Sequence, residues 1–253
     1  MSQSLVKFLI TKQGFSCAFR LMLTLTISLW AVGAQATDQV SPPGSWPSAW
    51  TYRLEAQISG VRLNMNAKME WAVTEDRYEA KLKYSLPLIG HRTQISKGSW
   101  TPQGLSPEFF VESTSRRQTD LAFYWTDKKV HRNQALYHEG LQLGAQDTLS
   151  VFFEMGIRTA QLSAQNPTPS SMTVNVVGTR KVEDWTFRFI GFETLDLPAG
   201  QFKVWHWQRP AAADDKGVAT DIWFAPSLGF LPVRIRLSQS NGDVMDQLLR
   251  TLK

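Results

Sequence analysis

The amino-acid sequence predicts a mainly β protein: a single antiparallel, strongly curved sheet or incomplete β-barrel, with one helix laid against its concave face or mouth. Three observations carry this. Apolar and polar residues alternate over segment after segment, the period of a strand with one face buried and the other wet. Short clusters of Gly, Asn, Asp and Lys punctuate the segments. One stretch, opening at Asp147, keeps helical spacing instead. One-sided strands cannot lie flat in water, and one helix is too small a cover for so many of them, so the sheet must curl on itself.

In chain order, Lys7, Lys12 and Arg20 precede an apolar run from Leu21 to Val32, and Ala34-Gln35-Ala36 closes it with the small-x-small pattern that signal peptidase accepts. Residues 1–36 are therefore expected to be a secretory signal peptide cleaved between Ala36 and Thr37; a retained N-terminal anchor is the alternative. The run is shorter than the roughly 20 apolar residues of a membrane span, and no later segment approaches that length without a charge, so the mature chain is expected to have no transmembrane segment. The one cysteine, Cys17, leaves with the signal segment, which removes disulfides, thiol nucleophiles and thiolate metal sites. Loss of Lys7, Lys12 and Arg20 lowers the formal net charge from +5 to +2. The remaining basic pairs, Arg116-Arg117, Lys128-Lys129 and Arg180-Lys181, are interspersed with acids, so nucleic acid is not an expected partner.

Residues 37–48, with Pro42, Pro43, Gly44 and Pro47, read as a flexible tether, and residues 49–253 as a single β-rich domain, expected to be a monomer. Its first strand alternates Tyr52, Leu54, Ala56 and Ile58 with Arg53, Glu55 and Gln57. The next sets Val61, Leu63, Met65, Ala67, Met69 and Trp71 against Arg62, Asn64, Asn66, Lys68 and Glu70. The pattern recurs at Tyr78 to Tyr84 and at Leu121 to Trp125, which ends at an Asp127-Lys128 turn. Asp147 is placed to cap a helix over 147–158, with Leu149, Phe152, Phe153 and Ile157 at helical spacing and both phenylalanines assigned to one face. Asn166-Pro167-Thr168-Pro169 ends it. Strands then follow at Met172 to Val177, Val182 to Ile190, Phe202 to Trp207, Ala219 to Phe224 and Leu231 to Leu237, with turns at Asp214-Asp215-Lys216-Gly217 and Ser240-Asn241-Gly242-Asp243. The total is roughly ten to twelve strands.

The chain carries no nucleophile elbow, phosphate loop, dinucleotide fingerprint, H-E-x-x-H or calcium loop, so no catalytic residue, cofactor or metal ligand is assigned, and an enzyme is the less favoured reading. His91, His131, His138 and His206 share no ligand spacing with one another or with a carboxylate; His138-Glu139 near His131 is the nearest approach to a cluster. The adjacent acids Glu75-Asp76, Glu183-Asp184 and Asp214-Asp215 point to opposite faces of a strand or into water, not across a shared substrate. The unusual feature is aromatic content, with 10 Trp in the chain. Aromatic side chains on a concave sheet face fill a core or line a pocket. The candidates for such a lining are Trp71, Trp125, Phe152, Phe153, Trp185 and Trp223.

Five landmarks follow one another in order: Gly104-Leu105-Ser106-Pro107, Gln146-Asp147-Thr148-Leu149-Ser150, Leu197-Pro198-Ala199-Gly200-Gln201-Phe202, Ile222-Trp223-Phe224-Ala225 and Leu231-Pro232-Val233-Arg234-Ile235. Together they resemble the bacterial exported family named domain of unknown function 3108 (DUF3108), from about Trp50 to the C-terminus. The resemblance implies a periplasmic, mostly β protein and brings no catalytic residues. The expected shape is similar to that of periplasmic lipoprotein carriers, an analogy of fold alone. The leading functional expectation is non-enzymatic binding of an apolar or amphiphilic envelope molecule, such as a lipid, in the curved sheet, with Phe152 and Phe153 in a lid. The alternatives are an assembly factor that meets an envelope protein partner through a sheet edge or surface patch, and an envelope-directed hydrolase.

Overall fold

The alternation at the start of the domain has the expected consequence: Tyr52, Leu54 and Ala56 are buried and Arg53, Glu55 and Gln57 are exposed. The structure is a computed structural model that describes residues 46–86, 90–101, 104–165, 170–211 and 217–253. The cleavage point at Ala36 and Thr37, the tether up to Ser45, the Asn166–Pro169 loop and the turn at Asp214 to Lys216 lie outside the described residues. Trp46, at the end of the expected tether, is buried, and its Nε1 donates to the Gly229 carbonyl at 2.7 Å.

An antiparallel meander runs through β1 (Ala49–Ile58), β2 (Val61–Thr74), β3 (Arg77–Leu86), β4 (Gly90–Thr101), β5 (Gly104–Thr114), β6 (Gln118–Tyr124), β7 (Lys129–Arg132) and β8 (Ala135–Glu139). The two-residue β9 (Gln146–Asp147) leads into helix α1 (Ser150–Gln165). A second meander follows: β10 (Ser171–Val177), β11 (Val182–Leu197), β12 (Gly200–Arg209), β13 (Val218–Ala225), β14 (Leu231–Gln239) and β15 (Val244–Leu252). β15 pairs with β1, so the two meanders join into one 15-stranded sheet with β8 and β9 at its edges. Neighbours are antiparallel throughout except β9 and β10, which are parallel.

The sheet does not close into a barrel by hydrogen-bonded strands. Side chains span the gap between its edges. Tyr137 Oη donates to the Gly178 carbonyl at 3.0 Å and Arg132 Nη1 to the Thr179 carbonyl at 2.9 Å, tying β7 and β8 to the β10–β11 turn. The start of β5 lies beyond the reach of β6. There the Leu105 carbonyl accepts from Gln146 Nε2 at 2.7 Å, the Leu105 amide donates to Glu154 Oε2 at 2.8 Å, and Trp125 Nε1 donates to the Pro107 carbonyl at 2.8 Å. These bonds satisfy backbone groups that a neighbouring strand would otherwise serve.

Helix α1 lies between two apolar clusters. One face sends Phe153 and Ile157, with Leu149 just before the helix, toward Trp46, Trp50, Tyr52, Trp71 and Leu105. Another sends Val151 and Met155 toward Val174, Val176, Phe187, Trp207, Ile222, Phe224 and Ile235. At Gly156 the helix backbone passes so close to β14 that a Cβ would stand 2.6 Å from the Phe230 carbonyl oxygen. Burial of Val151, Phe153, Met155 and Ile157, at about 1.5–3 kcal/mol each, makes withdrawal of the helix cost on the order of 10 kcal/mol.

The helix starts at Ser150 rather than Asp147 and runs seven residues beyond the expected end at 158, to Gln165. Asp147 nevertheless caps it: Oδ1 accepts from the amides of Leu149 at 2.7 Å and Ser150 at 2.8 Å. β11 likewise extends past the expected Ile190, through an irregularity between Phe189 and Gly191, to Leu197.

Candidate functional site

The structure divides the six candidate aromatic side chains between two clusters: Trp71, Phe153, Trp223 and Trp125 belong to or pack on one, and Phe152 and Trp185 pack on the other. The Phe153 ring is 4.8 Å from Trp71, 5.6 Å from Trp46 and 6.2 Å from Trp50, and Trp71 stacks on Tyr78 at 5.7 Å. Phe152, one residue earlier and about 100° round the helix, packs against the opposite cluster, so the two phenylalanines do not share a face as expected. Trp125 stacks beside Phe123 at 6.1 Å. Trp185 lies under the Arg209 guanidinium at 4.6 Å, far along the sheet from Trp71. Trp223 belongs to the cluster of Phe153 and Trp71 while its neighbour Ile222 joins the other, and it stacks on His206 at 4.3 Å.

Two polar constellations escape a reading of residue pattern. Around the helix start, Asp147 Oδ2 accepts from Ser96 Oγ at 2.5 Å, and Ser96 Oγ also meets Tyr78 Oη at 2.9 Å. Burial pushes the Asp147 carboxyl above its ordinary value, outweighing the hydrogen bonds from Ser96, Ser150 and Leu149. Glu154 is raised for the same reason, against the opposing charge of Arg158 and the Leu105 amide. Both carboxylates are engaged at each oxygen by the fold itself, which makes them structural anchors of α1.

The second constellation spans β11 to β15. His206 Nδ1 meets Glu193 Oε1 at 2.6 Å and Nε2 meets Asp221 Oδ1 at 2.8 Å. The ring thus bridges the two carboxylates. Gln208 Nε2 adds a bond to Asp221 Oδ1 at 2.8 Å, and Trp223 lies between the His206 ring and the Arg234 guanidinium, itself paired to Asp246 at 2.6 Å. Burial raises Asp221, but bonds from His206 and Gln208 and the charges of His206 and Arg236 outweigh it, and the carboxyl sits below its ordinary value. With both ring nitrogens engaged, His206 has none to offer a substrate; it locks three strands together. His131 packs against the Tyr124 ring at 4.7 Å. Among the described residues, no group of three or more His, Cys, Asp and Glu is placed to hold a metal ion.

The open site lies where the sheet splits. The β2–β3 ladder ends at Ala67 opposite Tyr84, while β1 and β2 stay paired on to Ile58 and Val61, and β3 and β4 on to Leu86 and Gly90. Two hairpins thus part company and leave a cleft of about 560 Å³. Met65, half-buried, gives it apolar surface, while Ala67 and Tyr84 line it but are themselves buried. Lys68, Lys83, His91 and Arg92 bring basic groups, and Thr51, Asn66, Ser85 and Thr93 bring neutral polar ones. The split also explains why Val61 is exposed and Met65 only half-buried although the period of two places both inside. A second cleft, of about 420 Å³, lies along β1, β2, β14 and β15 and mixes Glu55 and Asp246 with Arg62 and Arg236.

The family model described as protein of unknown function (DUF3108) matches residues 51–248. No curated protein matches the chain. A crystal structure of a β-barrel-like protein of the domain of unknown function DUF1849 from Brucella abortus is similar to it, with a TM-score of 0.53 and 11% identity, covering 81% of this chain and 95% of that one. That likeness shows the fold. A putative lipoprotein from Parabacteroides distasonis covers 83% of this chain and 98% of its own at 12% identity, with a TM-score of 0.34. Among the described residues, no helix is long and apolar enough to cross a membrane.

Proposed function

The chain belongs to the DUF3108 family, which brings no activity with it, so the reading rests on the geometry of the fold, and we propose that this is a non-enzymatic periplasmic protein that binds an amphiphilic envelope molecule at the cleft between β2 and β3. The observation that carries the reading is the composition of that cleft. Its volume of about 560 Å³ lies within the range of small-molecule sites, and it sets the half-buried Met65 among polar and basic side chains. The ligand meets the sheet there and not beneath α1, because the helix is held by its buried side chains and by the Asp147 and Glu154 anchors. In this reading Trp71, Trp125, Phe152, Phe153, Trp185 and Trp223 serve packing.

Native mass spectrometry and solvent extraction of the protein isolated from an envelope fraction test the proposal. A bound lipid or detergent-like molecule is expected, displaced by a bulky substitution such as Met65→Trp at the cleft. A ligand-free protein that takes up no amphiphile from mixed envelope lipids refutes it.

A further inference from the structure

At 69% exposure Phe192, on β11, is the most exposed aromatic side chain among the described residues, and it does not stand alone. Its ring is 4.9 Å from Trp205 and 5.2 Å from Phe189, Phe189 is 5.3 Å from Trp205, and Trp205 is 5.9 Å from Phe230. The backbone is bent to make this shelf. Phe189 and Phe192, three residues apart, would point to opposite faces of an uninterrupted strand. The register irregularity between Phe189 and Gly191 sets them on the same face, opposite Trp207 and Trp205. Phe230 holds a positive φ of 59°, a left-handed conformation that bulky side chains avoid. Both devices gather rings at a surface where water alone would be an unfavourable neighbour.

The turn that carries Phe230 also receives the start of the domain. The Gly229 carbonyl, one residue before Phe230, accepts from Trp46 Nε1 at 2.7 Å. The chain N-terminal to Trp46 therefore begins beside one end of the shelf. Residues 37–45 carry Ser41-Pro42-Pro43-Gly44, and consecutive prolines favour polyproline II, a preformed conformation that docks on aromatic-lined surfaces with little further ordering. At about 3.1 Å per residue, Pro43 and Pro42 reach roughly 9–12 Å from Trp46, the scale of the path from Phe230 over Trp205 to Phe192. We infer that the shelf of Phe192, Trp205 and Phe230 is the seat of the chain's own Pro42-Pro43 segment, whose proline rings stack on the aromatic ones and cover Phe192. The inference is independent of the β2–β3 cleft.

The experiment is photo-crosslinking of the full chain in its native envelope, with p-benzoylphenylalanine in place of Phe192, which keeps an aromatic side chain on the shelf. Peptide mapping by mass spectrometry of the monomer band is expected to find crosslinks from position 192 to residues 37–45, and Pro42→Ser with Pro43→Ser is expected to abolish them. Thr194, exposed and next along the same face of β11, is a second place for the probe that leaves the shelf intact, and it should give the same crosslinks. Val61, exposed at the far end of β1 from Trp46, should give none. Circular dichroism checks that each variant is folded. Crosslinks from positions 192 and 194 that go to a second copy or to another molecule instead, the lack of any crosslink from either, a yield that survives loss of both prolines, or equal crosslinking from position 61 overturns the inference.

Discussion

Replacing Asp147 by asparagine and by alanine separates two things the carboxylate does. It accepts the amides of Leu149 and Ser150 and the hydroxyl of Ser96, and it is fully buried. Alanine orphans both amides. At about 1–3 kcal/mol for each buried donor left unmade, the loss comes to roughly 2–6 kcal/mol, a large share of the 5–15 kcal/mol that holds a typical domain. Asparagine keeps the amide acceptor at Oδ1 and offers Nδ2 to Ser96 Oγ, which can still donate to Tyr78. It also removes a buried ionisable group. Because burial raises the Asp147 carboxyl in the folded state, the unfolded chain releases its proton first as pH rises from about 3.8, and the wild type loses stability through the window up to the folded value. Asparagine does not titrate, so its stability relative to wild type should climb across that window and then level off.

Urea unfolding followed by tryptophan fluorescence at pH 4, 6 and 8 measures this. Alanine should be destabilised at every pH. Asparagine should stay within about 1 kcal/mol of wild type at pH 4 and gain on it by pH 8. Asparagine as damaging as alanine, or a gap to wild type that does not move with pH, refutes the argument that desolvation dominates at this site.

Gly156→Ala should destabilise by about 1–3 kcal/mol despite alanine's better helix propensity, because its Cβ meets a backbone carbonyl that cannot yield; thermal unfolding reads the sign. Phe153→Ala should cost about 3–5 kcal/mol in urea midpoint analysis, and Phe152→Ala clearly less, since only Phe153 is surrounded on all sides. Asp221→Asn should be destabilised at neutral pH and converge on wild type in acid. The depressed carboxyl stabilises the fold above its unfolded value, and that contribution is lost as pH falls through the folded one. Unfolding between pH 3 and 7 checks it.

Strands with apolar inner faces were legible in the sequence, and those with polar inner faces were not. β1, β2 and β3 show a clean period of two because Tyr52, Leu54, Met69, Trp71, Tyr78 and Leu82 enter the core. β4 shows none, although it is one of the longer strands, because Arg92, Gln94 and Ser96 take the corresponding places, and each binds a polar partner rather than packing: Glu112 for the first two and Asp147 for the third. β5 is masked in part by Pro107, tolerated where the strand's outer edge is served by Trp125 and not by a neighbouring strand. β7, β8 and β9 are too short to establish a period, which is how fifteen strands came to exceed the expected ten to twelve. The helix was legible through Asp147, but the separation of Phe152 from Phe153 depends on there being apolar sheet on both sides of α1, which no local pattern records.

The same blindness governs the site. A cleft formed where two hairpins diverge depends on the length of one ladder relative to the next, and residue alternation is indifferent to that length. Lys68 and Lys83 each look like ordinary wet-face lysines on their own strands, and only register sets them opposite each other. The same two ladders set Lys81 opposite Glu70 and Lys97 opposite Glu79. On this stretch Glu70, paired with Lys68 and opposite Lys81, is the acid that answers the lysines, and the ladder ends one residue further on at Ala67 and Tyr84, where the cleft opens.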